Sequence, residues 1–380
     1  MKPALVDFNK PCVVGKEFDN MADSIRLGHI SGDGDYSKKC HQFFEQQLGV
    51  AKALLTPSCS HALEMTALIL NIQPGDEVII PDFTFVSTVN AFVLRGAKPV
   101  FIDIRSDTLN MDENKLEELI TPRTKAIVPV HYAGIACEMD TIMAIAHRHG
   151  VPVVEDNAHG LFGKYKNKWL GTFGSMATQS FHETKNFTCG EGGALLLNDP
   201  SMIENAEIIR EKGTNRSRFF RGQVDKYTWV SIGSSYLLSD ILAAYLFAQL
   251  ELWQEIQSKR KWIWQTYAKE LNSWAKANGV VQPTIPEGVD PSWHLYYLLL
   301  PDLENRQGMI NYLKAAGVNS VFHYLPLHLS EKGKEYGGKP GDMPVTESVS
   351  DRLLRLPYYF DLGETEMERV LEAVTSYKVG

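Results

Sequence analysis

The sequence predicts an α/β protein built around a mainly parallel β-sheet. Short apolar runs alternate with helical patterns between about residues 50 and 195, and polar residues gather where these runs end. Alternation of this kind favours strand-helix-strand crossovers, which join parallel strands. The chain has 380 residues, of which 44% are hydrophobic. That length exceeds one ordinary core, so we expect a second, smaller α/β domain.

Six apolar runs have the length and the β-branched content of buried strands: AKALLTP, DEVIIPD, KPVFIDI, KAIVPVHY, VPVVEDN and GGALLLN. Polar stretches follow four of them, at residues 56–59, 82–84, 131–134 and 156–160. In open α/β sheets, ligands bind outside the carboxyl ends of the strands. We therefore expect the chemistry of the protein at that edge.

The pattern changes beyond residue 200. IENAEIIREKG predicts a helix closed by Gly213, and a basic and aromatic stretch follows it. A helical pattern then runs from Ser239 for about forty residues, so long that we expect it to kink. Strand-like WHLYYLLLP, a helix over 307–316, VFHYLPLH and an amphipathic helix complete the chain. We predict a large domain over 1–250 and a small C-terminal domain over 251–380.

The composition argues against several classes of protein. A net charge of -8 disfavours nucleic acid as a partner, because such binding needs an excess of basic residues. The start of the sequence does not resemble a signal peptide, and no run approaches the ~20 apolar residues of a membrane span. We expect a cytoplasmic protein with reduced thiols, because the five cysteines are scattered and never spaced as CxxC: Cys12, Cys40, Cys59, Cys137 and Cys189.

Four local features are candidates for chemistry. Asp156 ends a strand, although a helix cap or turn acid is the plain alternative. Lys185 precedes a GEGG turn, yet a single lysine is usually a solvated charge. Residues 58–60 join a strand to a helix and offer hydroxyls and free N–H groups to an anion, or simply a serine cap. Phe83 and Phe85 follow another strand, where either could be core.

Together these features supply an anion cradle, an aromatic plate, a carboxylate and an amine, which is what pyridoxal phosphate (PLP) requires. Their motifs, TPSCSHALEM, PDFTFVSTVNA, PVHYAG, VVEDNAHG, SFHETKN and GEGG, resemble the DegT/DnrJ/EryC1/StrS sugar aminotransferases. The resemblance extends over nearly the whole chain. It implies PLP as cofactor, the fold-type I architecture with a seven-stranded sheet in the large domain, and a homodimer with active sites at the subunit interface.

The resemblance also implies roles for single residues. Lys185 would carry PLP as a Schiff base and later act as a base, and Asp156 would pair with the pyridine nitrogen. His159 would lie near the phenolic oxygen of the cofactor, a structural histidine being the alternative. Phe85 matches the aromatic residue that stacks on the ring. The phosphate contacts correspond to Ser58, Cys59, Ser60 and Ser180.

One motif departs from the family pattern. Many relatives have GxNxR where this chain reads GSSYL from Gly233 to Leu237. In those relatives the Asn reaches the phosphate of the neighbouring subunit. Ser235 could still donate a hydrogen bond across the dimer, whereas the arginine role is lost at Leu237.

The candidates for substrate binding are basic and aromatic. Arginine forks suit phosphate, so the basic stretch could bind a diphosphate, although a solvated loop or an interface arm is an equal alternative. HYLPLH could approach the sugar or be a packed strand with satisfied histidines. His182 and Cys189 flank Lys185, but two ligands make no metal site. The substrate candidates are Arg216, Arg218, Arg221, Tyr324 and His328.

The segments REKGTNRSRFFRGQVDKYTW and IGSSYLLSD resemble a subgroup of the family that serves enterobacterial common antigen synthesis. This implies transfer of an amino group from L-glutamate to C4 of dTDP-4-dehydro-6-deoxy-D-glucose. The alternatives are another nucleotide-linked keto sugar, a PLP-dependent sugar dehydratase and a non-enzymatic regulatory module. Dehydratase relatives replace the anchoring lysine by histidine, so Lys185 favours amino transfer.

Overall fold

A computed structural model describes residues 5–380 of the chain. Its α-helices are α1 (Glu17–Leu27), α2 (Asp35–Leu48), α3 (Cys59–Ile69), α4 (Val86–Val93), α5 (Met139–His149), α6 (Ile203–Arg210), α7 (Arg216–Phe220), α8 (Asp240–Glu251), α9 (Trp253–Glu270), α10 (Asn272–Ala277), α11 (Leu303–Ala315), α12 (Glu331–Glu335), α13 (Pro344–Arg352) and α14 (Glu364–Ser376). Its strands are β1 (Lys52–Thr56), β2 (Glu77–Pro81), β3 (Lys98–Ile102), β4 (Thr124–Ile127), β5 (Val154–Asp156), β6 (Lys164–Tyr165), β7 (Lys168–Trp169), β8 (Met176–Ser180), β9 (Gly193–Leu197), β10 (Val289–Asp290), β11 (Tyr297–Leu299), β12 (Val321–Phe322) and β13 (Leu353–Arg355).

The large sheet has the order β1-β9-β8-β5-β4-β2-β3. Strands β1, β9, β8 and β5 form one hydrogen-bonded group, and strands β4, β2 and β3 form another. Parallel bridges between Ile127 and Val153 and between Val130 and Asp156 join the groups into one sheet of seven strands. Strand β9 is antiparallel to both of its neighbours, and the other pairings are parallel. The predicted mainly parallel sheet is thus confirmed.

Each of the six predicted apolar runs contains a strand of this sheet. The sequence interpretation missed β8, whose sequence MATQS contains only one large apolar side chain. Strand β8 is nevertheless central, because it lies between β9 and β5. Its polar side chains lie at the functional edge, which explains why hydrophobicity alone does not reveal the strand.

The sheet is buried on both faces, which accounts for its continuous apolar runs. In β9 alternate side chains enter different cores, as expected for a period of two. Leu196 packs in the cluster that contains Phe44 of α2 and Leu246 of α8. Leu195 packs on the opposite side, in the cluster that contains Phe92 of α4.

The long helical pattern after Ser239 breaks twice, at Leu252 and Leu271, giving α8, α9 and α10. The helix before Gly213 ends earlier than predicted, at Arg210. A further core packs α9 and α14 against the antiparallel sheet β11-β13-β12, with Tyr267 among its buried side chains. The predicted domain boundary at residue 250 stays a prediction.

The five cysteines are free thiols, and four of them are buried. Across residues 5–380 no helix combines the length and the apolar character needed to cross a bilayer. Within the same residues, no group of three or more His, Cys, Asp or Glu side chains could hold a metal ion.

Candidate active site

The carboxyl ends of the parallel strands bring the predicted site residues to one edge of the sheet. Asp156 is the last residue of β5, and Ser180 is the last residue of β8. Strand β1 ends at Thr56, directly before the turn into α3. Because β5 and β8 are parallel neighbours, side chains at their ends share this edge. These polar groups thus lie together at one edge of the sheet, and the chemistry at that edge stays a prediction.

Asp156 is a buried carboxylate that forms no ion pair within residues 5–380. The Thr88 hydroxyl donates to its Oδ2 over 2.7 Å, and the Ala158 N–H donates to its Oδ1 over 3.1 Å. Burial raises the pKa of Asp156 more than these two hydrogen bonds lower it. No side-chain nitrogen of Lys, Arg or His in residues 5–380 lies within 4.0 Å of the carboxylate. A cationic N–H placed here would therefore be stabilised.

Lys185 lies in the loop after β8, where its own N–H bonds to the His182 carbonyl oxygen over 2.9 Å. Burial lowers the pKa of the Lys185 ammonium to about 8, against the opposing effects of Cys59 and Asp156. The positive charge of Arg355 lowers it further. An amine attacks a carbonyl only when it is neutral, so this shift prepares Lys185 as a nucleophile near neutral pH.

The turn into α3 forms a cradle of hydrogen-bond donors. The Oγ of Ser58 caps the helix by accepting from the His61 N–H over 3.1 Å, and Ser60 Oγ donates to Ser87 Oγ over 2.7 Å. A Cβ on Gly193 would collide with the backbone of this turn, so glycine is required in the adjacent strand. The positive end of the helix dipole points out of the turn. Its geometry suits a phosphate.

Cys59 is the first residue of α3 and has a negative φ, so its side chain causes no backbone strain. The residue is half-buried, whereas the other four cysteines are buried. Burial and the charge of Asp156 raise the pKa of the Cys59 thiol. The thiol therefore stays protonated and serves as a packing group beside Lys185.

Three histidines form a stack near Lys185. The ring centroids of His159 and His294 lie 4.2 Å apart, and those of His159 and His323 lie 6.2 Å apart. Burial lowers the pKa of each ring well below its usual range, so all three are neutral. His294 Nδ1 is hydrogen-bonded to Asn186 Oδ1 over 2.8 Å. The buried Nδ1 of His159 has no hydrogen-bond partner in the described part of the chain, residues 5–380, and could bond an oxygen placed in the site.

Aromatic side chains border the cluster. Phe85 is 58% exposed, whereas Phe83 is buried. Tyr324 connects them, with ring centroids 5.5 Å from Phe83 and 6.3 Å from Phe85. The exposed ring of Phe85 is thus available to cover a planar group.

His328 occupies a different environment from the one expected of a sugar contact. Its Nδ1 lies 2.6 Å from Asp82 Oδ2, and its Nε2 lies 3.2 Å from Glu347 Oε1. The side chain is 1% exposed. Both ring nitrogens are therefore engaged, and His328 joins the end of β2 to α13.

The predicted substrate arginines form ion pairs with residues outside the Lys185 cluster. Each guanidinium pairs with a carboxylate of α6 or of the residue after it, at 3.5, 2.7 and 2.8 Å: Arg216 with Glu211, Arg218 with Glu204 and Arg221 with Glu207. Ser235 is exposed, and its segment pairs with that of Glu211. These residues form an exposed arm on α6, so their role at a site stays a prediction.

Sequence reasoning missed His294, His323 and Arg355. The Nδ1 of His323 is hydrogen-bonded to the Tyr132 hydroxyl over 2.9 Å. His323 adjoins Tyr324 in HYLPLH, so that motif gave a partial signal. His294 and Arg355 stand in apolar strand-like segments with no local mark of function.

The arrangement fits PLP. The buried carboxylate of Asp156 suits a protonated ring nitrogen, the unpartnered Nδ1 of His159 suits the ring oxygen, and the turn into α3 suits the phosphate. The partly neutral amine of Lys185 suits the aldehyde. Such an inventory supports cofactor chemistry of the amino-transfer type.

Comparisons with known proteins agree with this geometry. The model of the DegT/DnrJ/EryC1/StrS aminotransferase family matches residues 11–375. An uncharacterized protein from Methanocaldococcus jannaschii is 35% identical over 373 residues, covering 96% of this chain and 95% of its own. The crystal structure of the aminotransferase TlmJ from Streptoalloteichus hindustanus is 28% identical, with a TM-score of 0.89 and 98% of each chain covered.

Two further solved structures extend the comparison. Spr1654 from Streptococcus pneumoniae, assigned as a sugar aminotransferase, is 27% identical in its PLP-form, with a TM-score of 0.90 and 99% and 100% of the two chains covered. The Helicobacter pylori aminotransferase PseC, involved in pseudaminic acid biosynthesis, is 26% identical, with a TM-score of 0.88 and 97% and 98% covered. The chain therefore belongs to the DegT/DnrJ/EryC1/StrS aminotransferase family and is a PLP-dependent sugar aminotransferase of fold type I.

Proposed function

We propose that the protein is a dTDP-4-amino-4,6-dideoxygalactose transaminase. It moves an amino group from L-glutamate to C4 of dTDP-4-dehydro-6-deoxy-D-glucose, giving dTDP-4-amino-4,6-dideoxy-D-galactose and 2-oxoglutarate. The amino transfer is supported by the presence of both a partly neutral amine, Lys185, and a buried carboxylate, Asp156. The choice of sugar is supported by the segments REKGTNRSRFFRGQVDKYTW and IGSSYLLSD. Enterobacterial common antigen or O-antigen synthesis in the cytoplasm is the proposed setting.

The residues of the sheet edge divide the work. PLP, when bound, supplies an electron sink for the negative charge that develops at the carbon losing or gaining a proton. Asp156 keeps a ring nitrogen protonated, because a buried carboxylate gains most from an adjacent cation. The α3 turn, with Ser60 and Ser180, would hold the phosphate, and Phe85 would cover the ring.

Lys185 has two tasks. Its amine anchors the cofactor in the resting enzyme, and a pKa of about 8 leaves a useful neutral fraction at physiological pH. With the donor bound, the freed amine of Lys185 would hold and move a proton at the donor Cα. This role depends on reach and orientation, which the position of Lys185 in the loop after β8 would provide.

The sugar nucleotide would be held by groups from two subunits. We propose a homodimer in which the exposed arm that carries Arg216, Arg218 and Arg221 meets the diphosphate at the partner's site. Ser235 would donate across the same interface. Tyr324 lies beside Phe85 and would line the sugar pocket, whereas His328 would act through the position of the loop that carries Tyr324.

Two experiments test the proposal. Borohydride reduction followed by peptide mapping is expected to place a pyridoxyl label on Lys185, and a label on another residue would contradict the assigned anchor. Purified enzyme is then incubated with glutamate and a panel of dTDP- and UDP-linked keto sugars, with NMR of the products. Preference for a different keto sugar would overturn the substrate while leaving the transaminase intact.

A further inference from the structure

Arg355 brings a permanent positive charge from β13 to the active-site cluster. Its Nη2 donates to the Phe322 carbonyl oxygen over 3.2 Å, directly before His323 and Tyr324 in the chain. Its Cζ lies 4.8 Å from the Phe8 ring centroid. These contacts hold the guanidinium beside the loop that borders the Lys185 cluster.

The electrostatic surroundings of Arg355 place it at the same site. Its charge lowers the pKa of Lys185 and of the His159 ring, after the larger effect of burial on both. It also lowers the pKa of the His323 ring and opposes the rise in the pKa of the Tyr324 hydroxyl. Arg355 is thus the fixed cation of the enclosed cluster.

This cation has no counter-charge among residues 5–380. No carboxylate oxygen of those residues lies within 4.0 Å of its guanidinium nitrogens. Its side chain is half-buried, but its Nε is buried and has no hydrogen-bond partner among residues 5–380. The buried Arg260 also has no acid, yet its guanidinium donates to the carbonyl oxygens of Trp293 and His294. A buried N–H without a partner is costly, so the arrangement of Arg355 is explained if the site receives an anion there.

We propose that Arg355 binds a carboxylate of the amino donor, as a fork that donates hydrogen bonds to its two oxygens. The donor amine must approach Lys185, and its α-carboxylate is attached to the same carbon, so this anion necessarily enters the cluster. The diphosphate of the sugar is separated from the reacting C4 by the pyranose ring. The α3 turn already provides for the cofactor phosphate. This inference depends on one part of the proposed function, the use of glutamate as amino donor, and does not depend on the identity of the sugar.

The test separates the two halves of the reaction in the PLP-loaded enzyme. Glutamate alone is mixed with enzyme, and the absorbance change of the cofactor gives the rate and KM of the donor half. Enzyme in the aminated form is mixed with keto sugar to give the other half. Calorimetry with glutarate, which has two carboxylates and no amine, measures binding without turnover.

The variants are Arg355→Gln, Arg355→Lys and the control Arg352→Gln. Arg352 is matched because its guanidinium also donates to a backbone carbonyl, in this case from Nε to the Leu300 oxygen over 2.6 Å. For Arg355→Gln we expect the donor KM and the glutarate Kd to rise roughly 10- to 100-fold, as for loss of a charged hydrogen bond. For Arg355→Lys both constants should rise less, because lysine keeps the positive charge and loses only the forked geometry. The sugar half-reaction and the control should stay within about twofold of wild type.

Two results would overturn the proposal. One is a donor KM and a glutarate Kd like those of wild type in a folded Arg355→Gln protein. The other is an equal or larger loss in the sugar half-reaction, which would assign the guanidinium to the diphosphate. If Arg355→Gln does not fold, Arg355→Lys decides alone, and an unchanged glutarate Kd refutes the assignment. An error in the proposed sugar would leave the donor half and glutarate binding of wild type unaffected.

Discussion

Replacing Asp156 by Asn should leave the PLP-free protein at least as stable as wild type while removing its activity. The folded-state pKa of Asp156 lies above its usual value of 3.8, chiefly because the carboxyl is buried. The folded protein therefore binds more protons than the unfolded chain between those two values. The free energy of unfolding falls as pH rises through that window, and it stays reduced at neutral pH. A neutral amide does not carry this penalty.

The hydrogen bonds around Asp156 can adapt to the amide. The Ala158 N–H still finds the carbonyl oxygen of Asn, which replaces Oδ1. In wild type the Thr88 hydroxyl donates to Oδ2 of Asp156, and its oxygen lies 3.0 Å from that of the Thr84 hydroxyl. In the variant, Thr88 can donate to Thr84 and accept a hydrogen bond from the Asn amide. With no bond lost, we expect the free energy of unfolding to equal that of wild type or to exceed it by up to about 2 kcal/mol.

Asp103 provides a matched control. It is also buried, but hydrogen bonds from the Thr346, Ile104 and Val345 N–H groups outweigh burial and lower its pKa. Its ionised form therefore stabilises the fold at neutral pH, and that stability is lost as pH falls through the folded pKa. Asp103→Asn places an amide against these donors and should lower the free energy of unfolding by about 1–3 kcal/mol.

Urea unfolding of the PLP-free proteins at pH 7 measures both effects, and the glutamate half-reaction measures activity after PLP is added. Asp156→Asn should reduce the rate at least about 100-fold, equivalent to about 2.7 kcal/mol of transition-state stabilisation. A PLP-free Asp156→Asn protein that is destabilised as much as Asp103→Asn would refute the reasoning. So would wild-type activity.

Three further predictions follow from other buried groups. Lys185→Ala should bind PLP without a borohydride-stable label and show no turnover, so near-normal activity would contradict the role of Lys185. In wild type, the rate of covalent PLP capture, measured by absorbance, should rise with pH around a midpoint of about 8. A midpoint near 10.5 would argue against the effect of burial on the pKa of Lys185. His328→Asn removes the group held between Asp82 and Glu347 and should lower the free energy of unfolding by about 2–4 kcal/mol in urea, and an unchanged midpoint would show that the cluster contributes little. Burial raises the pKa of the Cys59 thiol, so this thiol should be alkylated far more slowly in native than in unfolded protein. Peptide mapping measures both rates, and equal rates would mean that the thiol is open to solvent.

Local sequence determined much of the fold. A buried strand needs apolar side chains on both faces, so six of the seven strands of the large sheet could be recognised as apolar runs. Strand β8 escaped because MATQS combines short and polar side chains. The antiparallel direction of β9 was also hidden, since an apolar run reads alike in either direction.

The sequence also marked Asp156, because it ends a strand at the edge where ligands bind, and Lys185, because SFHETKN and GEGG resemble motifs of the family. It could not show their protonation. The lowered pKa of Lys185 and the raised pKa of Asp156 arise from burial by elements distant in the chain, such as the α3 turn and α4. Desolvation depends on the packed fold, and no local motif records it.

The tertiary structure alone decided the roles of His328 and Arg355. His328 looked like a sugar contact in HYLPLH, but packing against Asp82, 246 residues away in the chain, engages its ring. Arg355 had no motif, yet β13 carries it beside the loop of His323 and Tyr324, with no carboxylate oxygen of residues 5–380 within 4.0 Å. A sequence specifies which side chains can bond or bear charge, whereas only the folded chain determines which of them meet a partner and which are left to bind a ligand.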